Sequence, residues 1–172
     1  MLNEERIIAI KEIKYHVDSL FKLSETLGLG DPFSYNRMRE ILMAICLEHD
    51  VSKDYAGGDA VDKDGEEVEY KSTIQPNLNG TYHGISNYNN WDEQWSYICN
   101  KKIGCYKWHY IARFEGYKIV EIWKISGEKV LRLLEPALKR SWLTRHKRKD
   151  PRLGAVLTKT QIQDLGEKII GQ

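Results

Sequence analysis

The sequence has no apolar run of about 18 residues, the least that a transmembrane helix requires. Its opening residues, Met1 to Glu5, are too acidic for a signal peptide, so the expected location is cytoplasmic. Cysteine is scarce. Cys46, Cys99 and Cys105 form no Cys-x-x-Cys and have no histidine pair nearby, which excludes a disulfide framework and a zinc site and predicts reduced, structural thiols. The five histidines, His16, His49, His83, His109 and His146, are too scattered for a histidine-metal nuclease, and His109, inside a β-rich run, reads as a packing residue. No Gly-x-x-x-x-Gly-Lys loop is present, which disfavours a kinase or nucleotide hydrolase.

Charge is present in quantity and unevenly distributed. Residues 1–100 carry 9 Lys+Arg against 18 Asp+Glu and residues 101–172 carry 17 against 7, so a net charge of +1 conceals halves of −9 and +10. A basic half suits a cationic surface facing a polyanion, with the acidic groups kept elsewhere, some around a metal; nucleic acid is the leading partner. The length suits one domain with a substantial core.

The acidic chemistry concentrates in residues 59–71. Lys63-Asp64-Gly65 is turn chemistry, with glycine last, where a three-residue hairpin loop needs a left-handed residue. That loop pairs Asp62 with Glu66, and antiparallel register then sets Asp59 opposite Glu69, with Lys71 on the face of Glu69. A two-residue Asp64-Gly65 loop would turn Asp59 to the other face, so the geometry depends on the longer loop. Two carboxylates so placed repel unless something positive lies between them, and a hard cation with oxygen ligands such as Mg²⁺ answers that need. A solvated edge hairpin is the bland alternative.

Along the chain, residues 3–27 have helical periodicity in Ile7, Ile10, Ile13, Val17, Leu20 and Phe21, stopped by Gly28 and Gly30. Ile8, Tyr15 and Leu23 on the other side are surplus to one core contact and offer a dimerisation surface. Residues 36–48 form a second helix with Met38, Ile41, Leu42, Ile45 and Cys46 inward, and 51–58 a loop whose Gly57-Gly58 pair permits close approach before Asp59. Residues 72–90 read as a long loop, functional or disordered, whose Tyr82, His83, Ile85, Ser86, Asn87 and Tyr88 suit contacts with bases or phosphates as well as ordinary turns. A helix follows over 91–101, then strands over 106–114 and 117–125 around Glu115-Gly116, expected to be central. Residues 127–138 are helical but broken or kinked near Pro136. Trp91, Trp95, Trp108 and Trp123 read first as core. Residues 139–152, with seven Lys+Arg, one acid and Trp142 interleaved, are the electrostatic footprint, and 155–170 return as a short strand and a final helix. The expected class is α/β (α+β), with a mixed central sheet flanked by helices: 1–50 helical, 51–125 the hairpin and sheet, 126–172 basic.

With these elements placed, the chain resembles the PvuII type of type II restriction endonuclease in the PD-(D/E)XK nuclease superfamily. The resemblance is carried by Gly58-Asp59-Ala60-Val61-Asp62, the gap to Glu69-Tyr70-Lys71-Ser72, Ile119-Val120-Glu121-Ile122-Trp123 and Leu134-Glu135-Pro136, in order and spacing. It implies a restriction-endonuclease-like core and a homodimer embracing double-stranded DNA, each subunit cutting one strand of a short palindromic site with Mg²⁺. In that reading Asp59 and Glu69 hold the metal with the Tyr70 carbonyl, and Lys71 orients or deprotonates the attacking water. A companion DNA methyltransferase acting on the same site is implied too, without a stable complex.

The chain departs from that family where sequence is read. A run of consecutive histidines is replaced by His83-Gly84-Ile85-Ser86-Asn87, and Asn-Asn-Pro by Lys149-Asp150-Pro151. Lysine donates to guanine and aspartate accepts from cytosine N4, so a G·C-containing site is expected. The DNA-binding set is therefore Asn36, where the family places a minor-groove aspartate nearby, with His83, Ser86, Asn87, Arg148, Lys149, Asp150 and Arg152. A repair nickase or junction-resolving nuclease on the same fold, and a non-catalytic DNA-binding module, are the alternatives.

Overall fold

The computed structural model describes residues 4–53, 57–83, 88–147, 149 and 152–171. The chain runs α1 (Glu4–Leu27), α2 (Arg37–Leu47), β1 (Asp50–Val51), β2 (Ala60–Val61), β3 (Glu67–Thr73), β4 (Gly80–His83) and α3 (Trp91–Tyr97). A π-helical turn (Ile98–Lys102) leads to β5 (Trp108–Glu115), β6 (Lys118–Ser126) and α4 (Gly127–Leu143). A 3-10 turn (Arg145–Lys147), β7 (Gly154–Leu157), α5 (Lys159–Leu165) and β8 (Glu167–Ile170) complete it. Six strands form one sheet in the order β1-β2-β3-β5-β6-β8, and β4 and β7 form a separate ribbon. Only β3 and β5 pair in parallel in the six-stranded sheet, which makes it mixed and the fold α+β.

The pleat sorts side chains into two cores. Val68, Tyr70, Tyr110, Ala112 and Phe114 pack with Met43 and Ala44 of α2 on one side of the sheet. Ile111 and Ile125 pack on the other side with Val130, Leu134 and Leu138 of α4 and with Leu157 and Ile162. The same period turns Glu69 and Lys71 of β3 away from α2, the property on which the site depends. Burying each such Ile, Leu or Phe side chain contributes roughly 1.5–3 kcal/mol, so the parallel β3/β5 seam is fixed by its flanking layers as well as by its hydrogen bonds.

The expected hairpin forms. Asp62 N–H donates to the Glu66 carbonyl at 3.0 Å and Gly65 N–H to the Asp62 carbonyl at 3.0 Å, with Gly65 at φ 82°, so the loop is Lys63-Asp64-Gly65. Asp62 Oδ1 accepts from the Asp64 and Glu66 N–H groups and locks the turn. Ala60 pairs with Val68 and Val61 with Glu67, the register the longer loop predicts. β5 lies centrally, as expected, and pairs with β6 through a turn at Gly116-Tyr117, one residue later than the Glu115-Gly116 reading.

Other expectations are corrected. Residues 72–90 are not a structureless loop: β3 runs to Thr73 and β4 pairs with β7 some 70 residues on, a distance at which a short Gly-Thr-Tyr-His run carries no visible signal. Helix α4 passes through Pro136 and reaches Leu143, so Lys139, Arg140 and Trp142 of the basic segment are helical. The C-terminal segment adds β8, paired with β6. In α2 the buried residues are Arg37, Met43 and Ala44, while Ile45 and Cys46 are exposed, because the helix meets the sheet on the face one residue round. Cys105 is exposed too, so neither it nor Cys46 is a packing thiol; all three cysteines are free. Helix α1 buries only Ser24 and leaves Ile7, Ile8, Ile10, Ile13 and Phe21 exposed: its stripe is not part of this chain's core. No helix among the described residues is long and apolar enough to cross a membrane.

Candidate active site

Asp59 reaches its position because two glycines precede it. Gly57 sits at φ 107°, and a Cβ on Gly58 would lie 3.0 Å from both the Val68 carbonyl oxygen and the Glu67 Cβ, so the chain can run this close to β3 only without side chains. Asp59 N–H donates to the Val68 carbonyl at 2.9 Å, a step away from the register that would set it directly opposite Glu69. Its carboxylate compensates by crossing to β3, where Oδ2 accepts from Tyr70 N–H at 2.7 Å.

Asp59, Glu69 and Lys71 line one cleft of about 250 Å³ with Thr81, Tyr82, His83, Lys102, Ile103 and Tyr106. The Lys71 ammonium donates to Glu69 Oε1 and, at 3.0 Å, to the Tyr70 carbonyl. Glu69 and Lys71 retain only 16% and 20% of their side-chain exposure, so this pair is largely desolvated. Burial pushes the Glu69 carboxyl up to about 7; Lys71 pulls the other way and neighbouring Asp59 adds to the rise. Burial likewise raises Asp59, opposed by Lys71, the Tyr70 N–H and Arg37. Asp59 and Glu69 thus place two buried carboxyl groups around the single ammonium of Lys71.

Among the described residues no group of three or more His, Cys, Asp or Glu side chains is arranged to hold a metal ion. The donor set here is different: two carboxylates and one backbone carbonyl, all hard oxygens, two of them already turned toward the Lys71 ammonium. Such a set fits a hard divalent cation such as Mg²⁺, which takes one or two carboxylates and keeps several other positions for water or phosphate. The backbone of Tyr70 is central, since its N–H fixes Asp59 and its carbonyl faces Lys71. Behind the sheet the Tyr70 hydroxyl meets His49 Nδ1 at 2.8 Å, anchoring that residue from the far side.

Of the expected DNA-contacting residues, His83 lies at the end of β4 in the wall of this cleft. A Cβ at Gly154 would collide with the His83 ring, so glycine at the start of β7 gives that ring its place. Asn36 is exposed at the N-cap of α2 and accepts from Arg39 through Oδ1 at 3.0 Å, away from the residues lining the cleft. Lys149 and Arg152 are exposed. Ser86, Asn87, Arg148 and Asp150 lie outside the described residues.

Several functional candidates were not visible in the sequence. Lys102 and Tyr106 line the cleft from the segment between α3 and β5, where the sequence shows only the end of a helix and the start of a strand. Arg37 is 2% exposed and binds the Leu29 carbonyl at 2.6 Å, the Ser52 carbonyl, and Glu40 Oε2 at 3.2 Å. It ties the turn after α1 and the chain leaving β1 to α2, and its charge offsets that of Asp59. A buried arginine contradicts the usual expectation for its type and leaves no trace in periodicity. Compared with protein-family models and with curated proteins, the chain finds no match.

Proposed function

We propose that this chain is a Mg²⁺-dependent, site-specific double-strand DNA endonuclease of the type II restriction class, with a PD-(D/E)XK core, working as a homodimer. The observation that carries the reading is the convergence of Asp59, Glu69 and Lys71 on one cleft, built on a hairpin whose loop sets their register. Two carboxylates and a lysine in a half-buried polar cleft are costly to keep together without chemical use.

Asp59, Glu69 and the Tyr70 carbonyl would hold the cation. When bound, it supplies a lowered pKa for water and neutralisation of charge on the phosphate. Lys71, two residues from Glu69 on the same strand, would orient the attacking water and stabilise the hydroxide formed from it through its ammonium, the proton passing to solvent. Lys102 and His83, in the cleft wall, present donors to phosphate or base edges. The basic segment continues outward from α4, where Arg145 stacks on Trp142 with its guanidinium carbon 3.8 Å from the ring centroid, and supplies charge along the DNA backbone. The exposed apolar stripe of α1 supplies the surface for the second subunit.

Digestion of a sequenced, unmethylated plasmid tests the reading. Wild type with Mg²⁺ is expected to give discrete fragments, while chelator or Lys71→Ala abolishes them. A nicked circle with no linear product points to the repair or junction-resolving alternative. Binding without cleavage in any divalent metal points to a non-catalytic module.

A further inference from the structure

Tyr82, on β4, is 4% exposed yet forms part of the cleft wall, and its ring centroid lies 5.2 Å from Lys71 Nζ. Its hydroxyl meets His109 Nδ1 at 3.0 Å. His109, on β5, is fully buried, and its Nε2 lies 3.0 Å from the Ile103 carbonyl. A carbonyl can only accept, so Nε2 carries the proton, Nδ1 is the acceptor and the tyrosine hydroxyl donates. Burial holds this imidazole neutral, pushed down to about 3. Both ring nitrogens are therefore committed, which removes His109 from proton transfer and makes it a bracket. His109 is also the direct cross-strand partner of Glu69 in the parallel β3/β5 pair, so the bracket is attached to the strand that carries the site.

We propose that Tyr82, held by His109, is a positioning residue for Lys71: its ring face keeps the ammonium over Glu69 and the Tyr70 carbonyl. This role rests on the catalytic reading of Lys71 given above. A ring face attracts a desolvated cation and offers it no competing acceptor, so the ammonium keeps its hydrogen bonds to the two oxygens. The hydroxyl fixes the ring at its outer end, while β4 fixes the backbone end through its pairing with β7.

The test uses the full chain with Tyr82→Leu and Tyr82→Phe. With Mg²⁺ and plasmid DNA, Tyr82→Leu is expected to lower kcat about 30-fold, the factor that a desolvated cation–π contact contributes. KM, and DNA binding measured in Ca²⁺, should stay within about two-fold, as for a contact that acts on the reaction alone. Tyr82→Phe keeps the ring and loses its tether, and kcat should fall only about five-fold. Should Tyr82→Leu fail to fold, Tyr82→Phe carries the test at unchanged KM. Cleavage by a folded Tyr82→Leu at the wild-type rate overturns the proposal, as does an equal loss in both variants or an unchanged kcat in Tyr82→Phe. A readout independent of cleavage comes from NMR of the metal-free protein. The Lys71 ε-methylene protons, assigned by their loss in Lys71→Ala, should lie upfield of other lysines and move back in Tyr82→Leu; no movement overturns the clamp. A wild type that cuts no DNA but shows that upfield signal overturns the catalytic reading, and this role in catalysis with it, while leaving the contact itself demonstrated.

Discussion

Replacing Glu69 by Gln should stabilise the metal-free protein at neutral pH. In the folded chain burial raises the Glu69 carboxyl from an ordinary 4.5 to about 7. The folded state therefore binds more protons than the unfolded state between those values, and stability falls as pH rises through that window. Below it the group is protonated in both states and carries no penalty; above it the full penalty applies. An upper bound is about 3 kcal/mol, from 1.36 kcal/mol for each pKa unit. The Lys71 ammonium loses its carboxylate partner in the variant, so a net gain on the order of 1–2 kcal/mol at pH 7.5 is the working figure. For a chain of this size that raises Tm by about 2–8 °C. The assay is thermal unfolding in chelator from pH 5 to pH 8, with wild type and Glu69→Gln side by side so that other titrating groups cancel. The curves should converge near pH 5 and separate as pH rises, and Mg²⁺ should close the gap by stabilising only the wild type. A Glu69→Gln protein less stable than wild type at pH 7.5, or a difference independent of pH, would refute a desolvated, charge-crowded Glu69.

Asp59→Asn and Lys71→Ala should each lower cleavage by about 10²–10⁴-fold while leaving DNA binding in Ca²⁺ near wild type, measured by single-turnover kinetics and gel shift. Arg37→Met should lower stability by about 3 kcal/mol, read by urea unfolding, because the half-buried Glu40 and the Leu29 and Ser52 carbonyls lose their donor. Lys147→Ala, at an exposed position in the basic segment, should weaken binding to all DNA sequences alike and reduce the slope of log K against log salt by about 0.9, as for one lost phosphate contact.

Much of the hairpin that carries Asp59, Glu69 and Lys71 was legible because its determinants are local. Lys63-Asp64-Gly65 defines the loop, the loop defines the register, and the period of two puts Glu69 and Lys71 on one face. The β5/β6 hairpin was legible for the same reason. Pairings between distant segments were not: nothing in Gly80–His83 announces Gly154–Leu157, and nothing in Glu167–Ile170 announces β6. Helix α1 shows the opposite failure. Its stripe is visible in the sequence, but periodicity reports that a face is apolar and not what covers it, and within this chain it stays exposed. The burial of Tyr82, which read as an open-loop contact, and of Arg37 was not legible because burial of polar atoms is decided by neighbours from other elements. His109 read correctly as a packing residue, and both its nitrogens are in fact satisfied.

The restriction-enzyme account is tested most directly by sequencing the ends that wild type generates in Mg²⁺ on a genome-sized, unmethylated DNA. The account predicts that all ends fall at fixed offsets within one short palindrome containing G·C pairs, with both strands cut symmetrically. Ends scattered without a common sequence, or breaks confined to one strand, would contradict it.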